Sequence, residues 1–174
     1  MEKEVIIPLS KGKILLIVLG SLAFVVGGIF IFMLAHDQSR YHPLFMQIVG
    51  VVGVVFFSWT GLMSLRKLFD PQPGLVINQK GITDNSSGVS VGFIPWQDIT
   101  EIKSTQIGLT KFLIIQLNNP EDYLDRSIRP IQKRLLKANY KKYGTPISIS
   151  VNTLKIKFKP LVQILTEAWE AYKD

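Results

Sequence analysis

Hydrophobic and polar positions fall along this chain in three textures, and each predicts a different kind of element. From Ile14 to Leu34, "ILLIVLGSLAFVVGGIFIFML" carries no charge and no polar face, which predicts a helix that is apolar all round. Its 21 residues, at about 1.5 Å of rise each, match a bilayer hydrocarbon core of roughly 30 Å. A second uncharged run of 22 residues, Leu44 to Leu65, repeats the pattern, with Gln47 near one end and Trp59, Thr60 and Ser64 near the other. Residues 35–43, "AHDQSRYHP", are a short polar connection, so the two runs predict a transmembrane helical hairpin.

The second texture is brief. Residues 66–74, "RKLFDPQPG", combine charge with two prolines and predict a linker that ends the second helix. The third texture, residues 75–174, has short apolar runs separated by turn signals, as strands followed by helices would. "GLVINQKGITD" predicts two short strands around Gln79-Lys80-Gly81, with Leu75, Ile77 and Ile82 inward. "DITEIKSTQI" and "KFLIIQL" predict another pair hinged near Gly108, and "PISISV" predicts a late strand. Asn119-Pro120-Glu121-Asp122 has the order of a helix start, with a capping asparagine, proline at the first helical position and acids in the first turn. A helical region is expected from there to Gly144, broken at Pro130, and an amphipathic helix from near Lys159-Pro160 to the end.

The stretch "GFIPWQDITEI", residues 92–102, interrupts this alternation: Pro95 has no amide to donate, and Trp96, Ile99 and Ile102 recur at three-residue spacing. The proline should stop one ladder, the tryptophan fill the end of the sheet, and Ile99 restart pairing on the core side. Together with "GLVINQKGITD", this turn resembles the small bacterial pleckstrin-homology-like (PH-like) domains, in which a strand ends in an I-P-W-x-D-I turn. The resemblance implies a curved antiparallel sheet or partial barrel with a C-terminal helix. With the hairpin, the layout resembles small bacterial inner-membrane proteins that have two N-terminal transmembrane helices and a cytoplasmic PH-like domain. The segment at about 120–144 is an insertion relative to that pattern, and the resemblance implies binding or scaffolding, not an activity.

Composition sharpens the location. The chain has 174 residues, 47% hydrophobic, with a mean hydropathy of +0.26, and the apolar excess is concentrated between positions 14 and 65. A cleaved signal peptide does not fit, because the first apolar run is long, Met33 stands where a small residue is wanted, and a second span follows. Lys3, Lys11 and Lys13 precede the first span and Arg66 and Lys67 follow the second, whereas the loop has only Arg40 offset by Asp37. This bias places the N-terminal segment, residues 1–13, and the domain at 75–174 in the cytoplasm, with the loop at 35–43 outside. Gly20, Ala23, Gly27 and Gly28 on the first span, and Gly50, Gly53 and Gly61 on the second, are expected to let the helices approach closely.

Candidate chemistry is sparse. There is no cysteine, so disulfides, thiolate metal sites and thiol catalysis are excluded. No phosphate-binding loop, nucleophile elbow, H-E-x-x-H helix or EF-hand loop can be written onto the sequence. His36, Asp37 and His42 read as polar residues of a solvated turn, and Asp98 and Glu101 as surface charges. No enzyme activity, cofactor, metal or nucleic-acid partner is expected. Asn85-Ser86-Ser87 matches a glycosylation sequon, which is void in a cytoplasmic turn.

Charge carries the functional expectation. From Arg66 to Asp174 there are 16 Lys plus Arg against 10 Asp plus Glu, and within residues 126–142 seven basic residues stand with no acid: Arg126, Arg129, Lys133, Arg134, Lys137, Lys141 and Lys142. As a helix, Arg129, Lys133, Lys137 and Lys141 share one face, while Ile128, Ile131, Leu135 and Ala138 form an apolar stripe. A basic amphipathic helix beside a membrane is suited to anionic lipid headgroups, or to an inner-membrane protein partner. The expected function is a non-catalytic, membrane-anchored binding or scaffolding module. The alternative is an immunity or inhibitor protein against a membrane-acting toxin.

Overall fold

The computed structural model describes residues 4–37, 41–126 and 129–173. Residues 38–40 of the expected loop, and Ser127 and Ile128 of the basic segment, lie outside the described residues. The chain divides into two units, one formed by Lys11–Pro71 and the other by Met1–Ser10 with Gln72–Asp174.

The first unit is a helical hairpin. Helix α1 spans Lys11–Met33 and passes through a 3-10 turn at Leu34–His36, and α2 spans Pro43–Leu68, with proline at its start where a missing amide costs nothing. Both are long and apolar enough to cross a membrane, and their outer faces, Leu16, Phe30, Val52 and Phe56 among them, are exposed. The helices touch through small residues: a Cβ built on Gly50 would lie 2.7 Å from the Gly28 carbonyl oxygen, and one on Gly61 would lie 3.2 Å from the Ser21 Cβ. Gly20, Gly27 and Gly53 face open space, so only part of the expected small-residue set forms the contact. Phe24 and Phe57 stack with centroids 4.3 Å apart. At the loop end, Gln47 Nε2 lies 2.9 Å from His36 Nε2. At the other end, Lys11 Nζ donates to the Asp70 carbonyl at 2.6 Å and Lys67 pairs with Asp70 at 2.9 Å. Lys67 in the last turn of α2 and the Lys11 ammonium just beyond it place positive charge at the C-terminal end of α2, where the helix dipole favours it.

The second unit is an α+β domain with two antiparallel sheets. Strands β1 (Val5–Ile7), β2 (Leu75–Asn78), β3 (Gly81–Asp84) and β4 (Gly92–Pro95) form one in that order, and β5 (Ile99–Ile107), β6 (Thr110–Leu117) and β7 (Ser148–Ser150) form the other. Helices α3 (Pro120–Asp125) and α4 (Pro130–Tyr143) lie between β6 and β7 in sequence, and α5 (Phe158–Lys173) closes the chain. Alternation sets the core: Leu75, Ile77, Ile82, Ile94, Leu113, Ile115 and Ile149 are buried, and α5 adds Leu161, Leu165 and Ala168.

The proline turn behaves as its chemistry requires. β4 ends at Pro95, a 3-10 turn carries Trp96–Asp98, and β5 begins at Ile99. Trp96 is 1% exposed, its indole N–H donates to the Asn78 carbonyl at 2.8 Å, and its amide donates to the Lys80 carbonyl at 3.2 Å. Gly81 admits this approach because any Cβ there would collide with the Ile94 carbonyl, at 2.1 Å.

Strand β1 is the feature that local pattern did not reveal. Val5, Ile6 and Ile7 pair with Ile77, Val76 and Leu75, so the segment before α1 forms the edge of the domain's sheet. Ile7 and Leu9 are buried, Leu9 bridges Leu154, and the Ser10 amide donates to the Thr153 carbonyl at 2.7 Å. The domain is therefore discontinuous in sequence, with the helical hairpin inserted between its first two strands.

Candidate functional site

The basic segment does not fold as one continuous face. Arg126 closes α3, and its guanidinium donates to the Phe93 carbonyl at 2.6 Å while lying 3.7 Å from the Tyr123 ring centroid. Tyr123 is buried and donates to Asp98 Oδ2 at 2.6 Å. Burial first, then the bond to Asp98, pushes the Tyr123 phenol above its ordinary range. Arg126 and Tyr123 thus anchor α3 to the strands. Arg129 occupies the N-cap position of α4, and Lys133 pairs with Asp125 at 2.7 Å. The Lys133 ammonium holds the Asp125 carboxyl below its ordinary range, through its hydrogen bond and then its charge.

The packed face of α4 differs from the expected stripe. Leu136 is fully buried, whereas Ile131 and Leu135 are 47% and 49% exposed and Ala138 is exposed as well. Amides hold the inner face: Gln132 Nε2 donates to the Ser90 carbonyl at 2.9 Å, and Asn139 Nδ2 donates to the Pro146 carbonyl at 3.2 Å and reaches Ser148 Oγ at 3.1 Å. Gln116 Nε2 donates to the Tyr143 carbonyl at 2.8 Å, and Gly144, at φ 75°, provides the left-handed stop. The inward row is therefore Gln132, Leu136, Asn139 and Tyr143, with Leu136 fully buried and the other three partly so, a helical spacing masked in the sequence by its amides. The outer surface carries an apolar row, Ile131, Leu135 and Ala138, running into Lys142, beside a basic row of Arg134, Lys137 and Lys141. Among the described residues, none of these cations forms an ion pair with an acid.

Asn119 also departs from its expected role, since its side chain makes no cap hydrogen bond to α3 and instead donates to Asp122 Oδ2 at 3.1 Å. Elsewhere, a shallow groove of about 510 Å³ runs between α5 and the β5–β6 hairpin, lined by residues including Lys111, Phe158 and Lys159. A smaller one of about 170 Å³ lies between Trp96 and Tyr172. Among the described residues, no group of three or more metal-ligating side chains converges. No protein-family model, curated protein or solved structure matches the chain.

Proposed function

We propose that this chain is a non-catalytic, membrane-anchored binding module of the bacterial inner membrane, in which a two-span hairpin carries a PH-like domain whose α4 surface takes an acidic partner. The observation that carries this reading is the exposure of Ile131 and Leu135 beside Arg134, Lys137 and Lys141. A solvated helix gains nothing from an exposed apolar row, whereas a docking surface of apolar centre and basic rim gains both burial and steering. The antiparallel strand order, the buried Trp96 turn and the closing helix support the PH-like assignment. Pairing of β1 with β2 supports placing the N-terminal segment and the domain on one side of the membrane. The lysine and arginine bias of the flanks supports the cytoplasm as that side.

Within the domain, α4 runs from Gln132 beside Ser90 to Tyr143 beside Gln116. Ser90 lies two residues before β4, whose first residue pairs with Asp84, and Asp84 pairs with Leu75, the partner of Ile7. Gln116 lies at the opposite end, next to Leu117, the partner of Ile99. The basic row thus leads away from the chain's entry into α1, which favours an acidic segment of another inner-membrane protein over lipid headgroups at this surface. A photo-crosslinking amino acid at Ala138, in the full chain in native membranes, should give one discrete protein adduct that disappears on Arg134→Glu with Lys137→Glu. Adducts to lipid alone would transfer the surface to headgroups, and an adduct indifferent to both charge reversals would sink the reading.

A further inference from the structure

A second surface lies at the opposite end of the domain from Trp96. The turn between β5 and β6 is only Gly108-Leu109, since Ile107 pairs with Thr110. Gly108 has φ 57°, the left-handed conformation that a two-residue hairpin of Gly-X type needs at its first position. Leu109 therefore stands at the tip of the β5–β6 hairpin, where it is 101% exposed, and Ile107 beside it is 43% exposed. An apolar tip of this kind is unfavourable in water and has no function in the core.

Its surroundings are basic. From Ile102 to Asn118 there are Lys103 and Lys111 and no acid, although Lys103 pairs with Glu101 at 2.6 Å. From Val151 to Thr166 there are Lys155, Lys157 and Lys159, again with no acid, and all three are exposed. The alternation in "LKIKFK" turns Leu154 into the core and the lysines out. Lys111 and Lys159 line the same groove, whose lining also includes Glu167, and among the described residues none of Lys111, Lys155, Lys157 and Lys159 forms an ion pair with an acid.

Register places this patch where the chain leaves the domain. Ser150 pairs with Phe112, two residues from the turn, and Thr153, whose carbonyl accepts from the Ser10 amide, follows Ser150 within about 11 Å of chain. The Lys155 amide donates to the Pro8 carbonyl at 3.0 Å, and the Gly74 amide donates to the Ile7 carbonyl at 2.9 Å. Ser10 precedes Lys11 of α1, and Gly74 lies six residues after the end of α2 at Leu68. Both connections to the hairpin thus leave from the end that bears the apolar tip and the lysines.

We propose that this end is a membrane-seating surface: Leu109 and Ile107 enter the interfacial zone of the bilayer, and Lys111, Lys155, Lys157 and Lys159 meet the phosphates of anionic lipids. The proposal rests on reading α1 and α2 as membrane spans. Tethering makes the lipid layer the surface this end meets, and the four uncompensated ammonium groups select its anionic form.

The absence of native cysteine allows single fluorescent labels on the full chain reconstituted in bilayers. Leu109→Cys reports the tip, Glu121→Cys the opposite end, and Val52→Cys the outer face of α2. In vesicles of mixed phosphatidylglycerol and phosphatidylcholine, shallow spin-labelled lipid should quench the label at 109 several-fold more than the label at 121. The difference should fall towards unity in pure phosphatidylcholine, or when Lys111, Lys155, Lys157 and Lys159 are all replaced by glutamine. A label at 109 quenched no more than that at 121, or equally in both lipids, overturns the proposal. Deep spin-labelled lipid should quench the label at 52 whatever the tip does. If that control is unquenched, the membrane-span reading fails first, and the seating surface falls with it.

Discussion

Helices α4 and α5 belong to one domain and are nearly equal in length, 14 and 16 residues, yet they use their apolar side chains in opposite ways. In α5, Leu161, Leu165 and Ala168 recur at four- and three-residue spacing and all are buried. In α4, the equivalent row of Ile131, Leu135 and Ala138 points to solvent, and a single leucine with two amides secures the inner face. Periodicity says that a helix has an apolar side. It does not say whether that side faces the protein's own core. Where the stripe is buried, as in α5, it explains stability and leaves the polar face unremarkable. Where it is exposed beside a basic row, as in α4, it is the feature on which the proposed docking surface rests.

The largest effect should come from the core that α5 helps to close. Trp96→Ala removes a fully buried indole and its bond to Asn78, and should cost about 3–5 kcal/mol. Trp169 is only half-buried, with Lys173 Nζ 3.4 Å from its ring centroid, so Trp169→Ala should cost distinctly less. Hydrogen exchange of the domain's strand amides, measured on the full chain in detergent, would rank the two. Equal costs would mean that α5 packs through Trp169 more deeply than the structure places it.

The comparison itself is tested by matched truncations. Leu165→Ala on α5 should destabilise the domain by about 2–5 kcal/mol, whereas Leu135→Ala on α4 should change stability by no more than about 0.5 kcal/mol. Leu136→Ala, one residue away, should behave like Leu165→Ala because its side chain is fully buried. Thermal unfolding of the three variants separates these outcomes. A large loss at Leu135 would return α4 to the class of ordinary packed helices and remove the main support for its binding role.

The legible and illegible parts of the fold divide along the same physical line. The two long helices were readable because runs that are apolar on every side announce themselves by composition more than by position. The Trp96 turn was readable because Pro95 forbids one conformation and an adjacent tryptophan demands cover. Strand β1 was not, since three residues carry too little periodicity, and their partners, Leu75 to Ile77, lie some 70 positions away across the hairpin. The packed face of α4 was not legible, because Gln132 and Asn139 are polar by composition yet packed, each bonded to a backbone carbonyl. The tip at Leu109 and the lysines of "LKIKFK" became a surface only once register had joined two segments some 45 residues apart in sequence.

Those amides give the next, smaller test. Asn139→Ala leaves the Pro146 carbonyl and Ser148 hydroxyl without their donor and should cost about 1–3 kcal/mol, appearing mainly as faster exchange within α4 and β7. Uniform loss across the domain would place Asn139 in the central core, and no loss would show that α4 is held by Leu136 alone.

The smallest effect concerns the link between α3 and α4. Lys133 lowers the Asp125 carboxyl below its ordinary value of 3.8, so the folded state binds that proton less readily than the unfolded chain does. The stabilisation is present above the unfolded value and fades as pH falls through the depressed folded one, loosening the approach of α3 to α4 in acid. The carboxylate is largely exposed, so the effect should be slight and weaken further with salt. Carboxyl chemical shifts should show Asp125 titrating below its ordinary value, and Lys133→Gln should bring it back up. An Asp125 titration unmoved by Lys133→Gln would mean that the pair does not form in solution. Lys133 would then join Arg134, Lys137 and Lys141 on the outer surface, which would widen the contrast between the two helices.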